Sequence, residues 1–593
     1  MAKLLSLQKI TQAIQNTFLR FPLEIITAII ATVYCCIMIE ENSDTEYIFI
    51  KTIMCCSLCL VLFLSVSLFF SSSTKNKLIR YATALILGSL VVAFVFNFSE
   101  KITPVEALQF LVLNIALHLL VSFAGFLPKK YSQEEFWEFN KQLFLRILTS
   151  ALYSSVIYAG LSLALLAVHI LFNVEFPDKI YAHLFFIIAG IFNTIFFLAG
   201  IPDISQNENP LILNYPKGLK NFTQYVLLPL ISIYSLILIC YEVKITATLS
   251  LPEGWVSYLV LVFAIFGILS FLLIHPIAKE KNNLWMHTFS RWFYYLLIPL
   301  LALLFWAILY RVYLYGFTHE RYYVVLLAIW LIIVVSYFLI NKTPKIKFIP
   351  ISMCIAALFS IVGPQSADSI SKYSQLSRFK NYLEIIKTKK LNFKEEQNLS
   401  SITSFLEENY TSKVFLDLNE PKLQKLIKKD KDAGAFEIMK ALGLTYHSDY
   451  ESEKDIENET NFSYYYSPDN SKKIDILTGN DISFTVRDNL EIDCEQCATI
   501  NSKKISIHTT KTDYGKLLKI NNEEIPLRLF DFINKTPAFT KESYSKKKIT
   551  QEVKSKDLEI SITYNSIDGN IKNNIKTPES YEIEVMINFL NND

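Results

Sequence analysis

The chain has 593 residues, 52% of them hydrophobic and only 19% charged, with a formal net charge of +2 and a mean hydropathy of +0.31. A water-soluble protein carries roughly a quarter charged and under a half apolar residues, so the composition excludes a wholly soluble chain. Basic and acidic side chains nearly balance, which argues against a nucleic-acid partner.

The apolar residues concentrate before residue 363, and the remainder is rich in Lys, Asn, Ser and Glu. A hydrocarbon core about 30 Å thick needs roughly 20 helical residues. On that criterion about eleven spans are predicted, at 21–40, 48–71, 81–98, 106–126, 145–172, 180–201, 223–243, 256–275, 292–311, 322–341 and 348–363. The first has no small-residue cleavage site and is followed at once by another span, so it reads as an anchor rather than a leader. The fold class expected is mainly α: a polytopic helical membrane bundle followed by an α+β extracytoplasmic domain. Its divisions are an amphipathic cytoplasmic segment (1–20), the bundle (21–363), a helical juxtamembrane neck (364–460) and a β-rich domain (461–593).

Short cytoplasmic loops of membrane proteins are enriched in Lys and Arg. With the N-terminus inside, 18 of the 24 Lys and Arg residues before 363 fall on the cytoplasmic side. The exceptions are Lys51, Lys101, Lys179, Lys244, Arg311 and Arg321, and the first outer loop, EENSDTE, is acidic. The expected placement is therefore the cell inner membrane, with the C-terminal domain periplasmic.

Two of these exceptions fall in "RVYLYGFTHERYYV" (311–324), a tight outer turn centred on Gly316, where glycine alone easily allows positive φ. Two readings stand. In one, the turn is an interfacial hairpin whose tyrosines and arginines anchor at headgroup level. In the other, Arg311, Glu320 and Arg321 pair across a polar cavity within the bundle, where ionisable groups are costly and tend to be functional.

After the last span, Gly363-Pro364 stops the helix. The next stretch places Ile370, Tyr373, Leu376, Phe379, Leu383 and Ile386 at helical spacing. An amphipathic exit helix is predicted, with Ser374 and Arg378 on one face, able to pack over the Gly316 turn.

These segments resemble a multi-pass bacterial membrane family, domain of unknown function 4153. The turn carries its Tyr-Gly-x-Thr-x-x-Arg-Tyr signature as Tyr315, Gly316, Thr318, Arg321 and Tyr322. The exit segment carries Gly363, Pro364, Ser371, Ser374, Gln375 and Arg378. "FWEFNKQLFLRILTS" (136–150), "YPKGLKNFTQYVLLPL" (215–230), "LPEGWVSYLV" (251–260) and "IHPI" (274–277) are similar to further family elements, in order. An acidic residue commonly follows the Thr in such sequences; here His319 does, and Glu320 comes next. The resemblance implies a bacterial inner-membrane location and no established activity.

Beyond the exit helix, 396–409, 419–430 and 435–444 read as short helices. From 460 the period becomes two, with strands expected in "FSYYYS", "KIDILT", "ISFTVR", "KISIHTT", "LLKIN", "LEISITYNS" and "YEIEVMINFL", and a helix at 525–536. Cys494 and Cys497 form "CEQC" between strand-like sequences, a candidate disulfide in an oxidising periplasm, with a redox site as the alternative. The other seven cysteines lie in apolar spans. His447 and His508 are isolated, so no metal site is expected.

Within the spans, Glu24, Asn114, His118, His169, His183, Asn193, Glu242 and His275 are polar. They read as interhelical hydrogen-bonding groups or as a translocation path. Pro229 and Pro299 are candidate breaks in spans seven and nine. No phosphate-binding loop, dinucleotide loop, nucleophile elbow or zincin motif occurs, and no cofactor is expected.

Three function classes follow. The first is a non-enzymatic envelope protein with a partner-binding or sensing outer domain. The second is a transporter or flippase of a small solute or lipid. The third is an outer-leaflet lipid-linked transferase, in which the turn arginines hold a phosphate headgroup. The expected partners are the bilayer and either an envelope protein or a lipid headgroup.

Overall fold

A computed structural model describes residues 7–40, 46–73, 76–128, 130–204, 211–248, 255–277, 284–418, 420–430, 433–451, 460–466, 482–487, 493–500, 503–512, 515–521, 523–536, 543–545, 549–554, 558–572 and 575–589. Their contacts divide into two units, Met1–Tyr446 and His447–Asp593.

The first unit opens with α1 (Leu7–Arg20) and continues through α2 (Pro22–Glu40), α3 (Glu46–Ser73), α4 (Lys77–Phe96), α5 (Pro104–Ala124) and α6 (Gln133–Phe172). Then come α7 (Lys179–Ala199) and α8 (Lys217–Thr248). The bundle closes with α9 (Trp255–Ile274), α10 (Leu284–Tyr315), α11 (His319–Ile340) and α12 (Phe348–Ile361). Among the described residues nine helices are long and apolar enough to cross a membrane, and two shorter apolar ones, Tyr258–Ile274 and Phe348–Ile361, fall at the remaining predicted spans.

Leu85, Leu90, Val156, Leu163, Ile233 and Leu236 point outward, all more than half exposed. In water such a surface would exceed the apolar patches that soluble proteins tolerate; against acyl chains it costs nothing.

Two buried clusters organise the bundle, one across α2–α6 and one across α8–α11. The last span, α12, joins them: Ile349 packs in the second cluster, while Cys354 and Ala357 lie in the first. Small residues permit the approach, because Ala116 of α5 is fully buried and its carbonyl accepts a bond from Cys354 Sγ at 3.3 Å.

Two predicted breaks resolve differently. Pro299 lies inside the continuous α10 and does not interrupt it. Pro229 follows a π-helical stretch, Thr223–Leu227, whose wider turn absorbs the missing proline N–H. A second π stretch, Ile187–Phe192 in α7, surrounds Gly190, where a Cβ would come within 2.1 Å of Thr32 Oγ1 on α2.

The interhelical loops sort onto two faces. On one, Arg20 donates to the carbonyls of Ile201 and Pro202, Arg80 donates to the carbonyl of Arg20, and Lys347 reaches that of Phe126. On the other, Lys51 donates to the Phe98 carbonyl, and Lys179 and His183 meet Glu40. The exit helix α13 (Ala367–Thr388) leaves on this second face, followed by α14 (Phe393–Tyr410), α15 (Pro421–Lys429) and α16 (Ala435–Leu442). These neck helices share a core of Phe379, Leu399, Leu406, Phe415, Leu423, Ile438 and Met439, each fully buried. Such residues contribute roughly 1.5–3 kcal/mol apiece on burial from water.

The second unit contains two sheets. One runs β2 (Ile482–Arg487), β10 (Ile575–Phe589), β9 (Leu558–Lys572), β1 (Thr460–Tyr466) and β7 (Ser543–Ser545), with β8 (Ile549–Lys554) also pairing β9. The other is an antiparallel β3 (Asp493–Ile500), β4 (Lys503–Thr512), β5 (Gly515–Ile520) and β6 (Glu523–Leu527). The segment expected to be helical at 525–536 starts as strand β6 and becomes helix α17 only at Leu529–Lys535, because Ile525 and Leu527 alternate into the sheet core. "KIDILT" (473–478) lies outside the described residues.

Candidate functional site

The two signature segments meet. Gly316 sits between α10 and α11 with φ +73, buried beneath the exit helix. Its left-handed backbone turns Phe317 N–H toward Ser374 Oγ at 2.9 Å. Gln375, 2% exposed, donates from Nε2 to the carbonyls of Tyr315 at 3.0 Å and Phe317 at 2.7 Å. These two acceptors lie near the C-terminus of α10, where helix carbonyls lack partners. A glutamine from another helix therefore caps α10, and one side chain satisfies two part-buried acceptors.

Arg321 completes the turn from within. Its Nη1 donates to the carbonyls of Tyr315 at 3.2 Å and Gly316 at 3.0 Å, and the guanidinium lies 5.4 Å from the Tyr315 ring centre. Thr318 caps α11 by accepting from Arg321 N–H. Tyr322 donates to the Gln365 carbonyl at 2.7 Å, which holds the start of the exit segment to the same helix. Glu320 is exposed and accepts from Tyr258 at 3.4 Å. Arg311 and Arg378 both lie within electrostatic reach of Arg321. The Nε of Arg378 is buried without a hydrogen-bond partner.

One of the exit-helix expectations changes. Tyr373 is 77% exposed, whereas Ser371 and Gln375 are buried, because this end of the helix covers a polar turn and not an apolar core. His319, where the family pattern commonly has an acid, is buried and stacks on Phe405 of α14 with ring centres 5.3 Å apart. Its Nε2 lies 3.2 Å from Tyr410 Oη. Tyr410 also donates to the Asp368 carbonyl at 3.2 Å. Burial first, then the charge of Asp368, pushes the Tyr410 hydroxyl well above its ordinary pKa, so it stays a donor.

The profile of a family described as "Domain of unknown function (DUF4153)" matches residues 27–391, which takes in both halves of this joint. The chain belongs to that family. A protein named as uncharacterised, PM1469 of Pasteurella multocida strain Pm70, is similar at 24% identity over 408 residues, covering 67% of this chain. The chain spans 64% of that relative's length. No solved structure matches. The DUF4153 match ends at residue 391, just past the exit helix, so the family region coincides with the bundle and the first neck helix.

Sequence reasoning brought the two motifs together but missed the part played by Gln365, inside the exit segment, and by Phe405 and Tyr410, which lie outside both. For Phe405 and Tyr410 the only sequence signal is their aromatic character. Elsewhere, the polar span residues are used between or within helices: Ser67 donates to Glu24 at 2.5 Å, Asn114 to Ser57 at 3.3 Å, and Ser154 to Asn193 at 3.3 Å. His118 and His169 bond backbone carbonyls of their own surroundings. Among the described residues no group of three His, Cys, Asp or Glu could hold a metal ion. Cys494, on β3, is disulfide-bonded. The side chain of Cys497 lies outside the described residues.

Proposed function

We propose that the chain is a non-enzymatic protein of the bacterial inner membrane, with its N-terminus in the cytoplasm, which carries a partner-binding or sensing domain on the periplasmic side. The observation that carries this reading is how the signature residues are spent. Ser374, Gln375 and Tyr322 hold the α10–α11 turn to the exit segment and Arg321 braces the turn from within, so the motif acts as a joint and not as an open reaction centre. The use of polar span residues as helix-to-helix bonds supports the same reading over a translocation path. The sidedness rests on the basic residues gathered on the Arg20–Arg80–Lys347 face. Cys497 is proposed as the partner of Cys494, a pairing suited to an oxidising compartment and read directly by peptide mapping of the non-reduced chain.

Single cysteines at Lys342 and Tyr450, in otherwise intact cells, test the orientation with a membrane-impermeant maleimide. Tyr450→Cys is expected to label and Lys342→Cys to label only after lysis; the reverse pattern contradicts the assignment. Photo-crosslinkers at the exposed positions Arg487 and Glu524 then test the partner claim. A single reproducible envelope adduct supports it, and adducts confined to lipid or to the chain itself count against it.

A further inference from the structure

On the face opposite the joint, the ends of α9 and α11 and the start of the apolar part of α10 enclose a cavity of about 480 Å³. Its walls divide by chemistry. Phe271, Tyr294, Phe338 and Ile346 form an apolar floor, with Tyr294 stacked on Phe338 at 5.4 Å. Arg291 and Lys342 stand at the rim, both exposed, and no carboxylate is among the described residues that line it.

The depth is fixed by the spans themselves. Arg291 directly precedes the apolar run 292–311 of α10, and α11 ends at Ile340, two residues before Lys342. The cationic rim therefore lies where hydrocarbon gives way to headgroups, with the apolar floor on the hydrocarbon side.

The walls are held by contacts that a loose interfacial crevice would not need. Trp137 Nε1 donates to the Leu272 carbonyl at 2.8 Å and Tyr215 Oη to that of Leu273 at 3.1 Å, fixing the last turn of α9. Lys345 N–H donates to Tyr337 Oη at 3.1 Å, and Ile346 N–H to Gln133 Oε1 at 3.1 Å, fixing the 341–347 loop. A binding site whose walls are set in advance loses less entropy on occupation.

We infer that this cavity binds the phosphate headgroup of an anionic phospholipid, with Arg291 and Lys342 on the phosphate and the start of the acyl chains over Phe271, Tyr294 and Phe338. A basic pocket between transmembrane helices suits that chemistry, and arginine offers phosphate two parallel donors. A free phosphate ion would satisfy the two cations but leave the apolar floor uncovered, so the lipid is the better fit. The competing account is that the two cations only offset the dipoles of the α9 and α11 C-termini, which lie close by.

The test is native mass spectrometry of the full chain, delipidated in mild detergent and titrated with phosphatidylglycerol, with phosphatidylcholine, or with inorganic phosphate. One phosphatidylglycerol per chain is expected to bind, phosphatidylcholine to bind far more weakly, and inorganic phosphate not to displace the lipid. The Arg291→Gln/Lys342→Gln double variant is expected to weaken phosphatidylglycerol about thirtyfold, from about fivefold per cation. The same-face control Lys217→Gln/Lys220→Gln keeps the lipid, which separates a site from general surface charge. Equal retention of both lipids, unchanged binding in the double variant with a wild-type unfolding profile, or displacement by inorganic phosphate would each overturn the assignment. If the double variant fails to fold, Arg291→Lys is read instead: the site predicts weakened phosphatidylglycerol binding, and an unchanged affinity overturns it.

Discussion

Replacing Glu138 by Leu is expected to destabilise the bundle by about 3–5 kcal/mol, the range for removing one partner of a buried ion pair. Glu138 is 1% exposed and accepts three bonds, from Lys141 Nζ at 2.7 Å, Gln142 Nε2 at 2.8 Å and Asn214 N–H at 3.0 Å. Lys141 in turn donates to the Asn214 carbonyl at 2.6 Å, so the pair grips both backbone groups of one residue. Without the carboxylate, a largely buried ammonium and a backbone N–H lose their acceptor together. The damage spreads to Tyr215, whose ring stacks on Trp137 at 5.2 Å and whose hydroxyl holds α9. Lipid binding at the cavity described above should weaken in the same variant. Denaturant unfolding in detergent measures the effect, and the double change Glu138→Leu/Lys141→Met supplies the check. Removing both charges is expected to recover much of the loss; a double variant as unstable as the single one would rule out the ion pair as the cause.

Gly316→Val is expected to cost about 4–5 kcal/mol and to loosen the neck. Two effects add. A φ of +73 costs a side-chain-bearing residue roughly 1–2 kcal/mol. A Cβ at Gly316 would also lie 2.7 Å from Arg378 Cδ, 2.8 Å from Ser374 Oγ and 3.1 Å from Gln375 Nε2. Those side chains can swing aside only by giving up their bonds to Phe317 N–H and to the two carbonyls, at about 1 kcal/mol each. Gly443 provides the comparison within the same unit: its φ is +80, but nothing lies within 4 Å of an added Cβ. Gly443→Ala should therefore show the backbone term alone, about 1 kcal/mol. Thermal unfolding and limited proteolysis of the neck in nanodiscs measure both. Equal losses for the two variants would mean that the exit helix does not bear on the turn.

The spans were legible because each needs a long apolar run, and composition reports that directly. Their boundaries at 180–201 and 348–363 fall close to Lys179–Ala199 and Phe348–Ile361. What composition does not carry is local helical gauge. The π stretch around Gly190 lies where that helix closely approaches Thr32 of α2, the one at Thr223–Leu227 accommodates Pro229, and Pro299 shows that a proline alone does not decide whether a helix breaks. In the second unit, alternation identified β9 and β10, whereas "IPLRLFDFINKT" mixes both periods and divides into a strand and a helix.

The joint was half legible. Gly316 and the Ser374–Arg378 spacing pointed to a turn and a helix face, yet the sequence left Arg321 divided between headgroup anchor and interior ion pair. In the fold it does neither as its main task, because two turn carbonyls lie within reach of its own side chain. In the sequence Gln375 stands out only through the family resemblance. Its double capping role depends on a partner some 60 residues away in sequence, which local patterns do not encode.

Hydrogen exchange read by mass spectrometry in nanodiscs, comparing the wild type with Gln375→Leu, tests the joint most directly. The substitution sits on the exit helix, so its effect on the distant turn reports coupling. The peptides covering 311–324 and 367–388 are expected to lose protection together, by about tenfold or more, while those from α2 and α3 stay unchanged. A loss of protection confined to 367–388, with the turn as protected as before, would contradict a joint between the membrane hairpin and the neck.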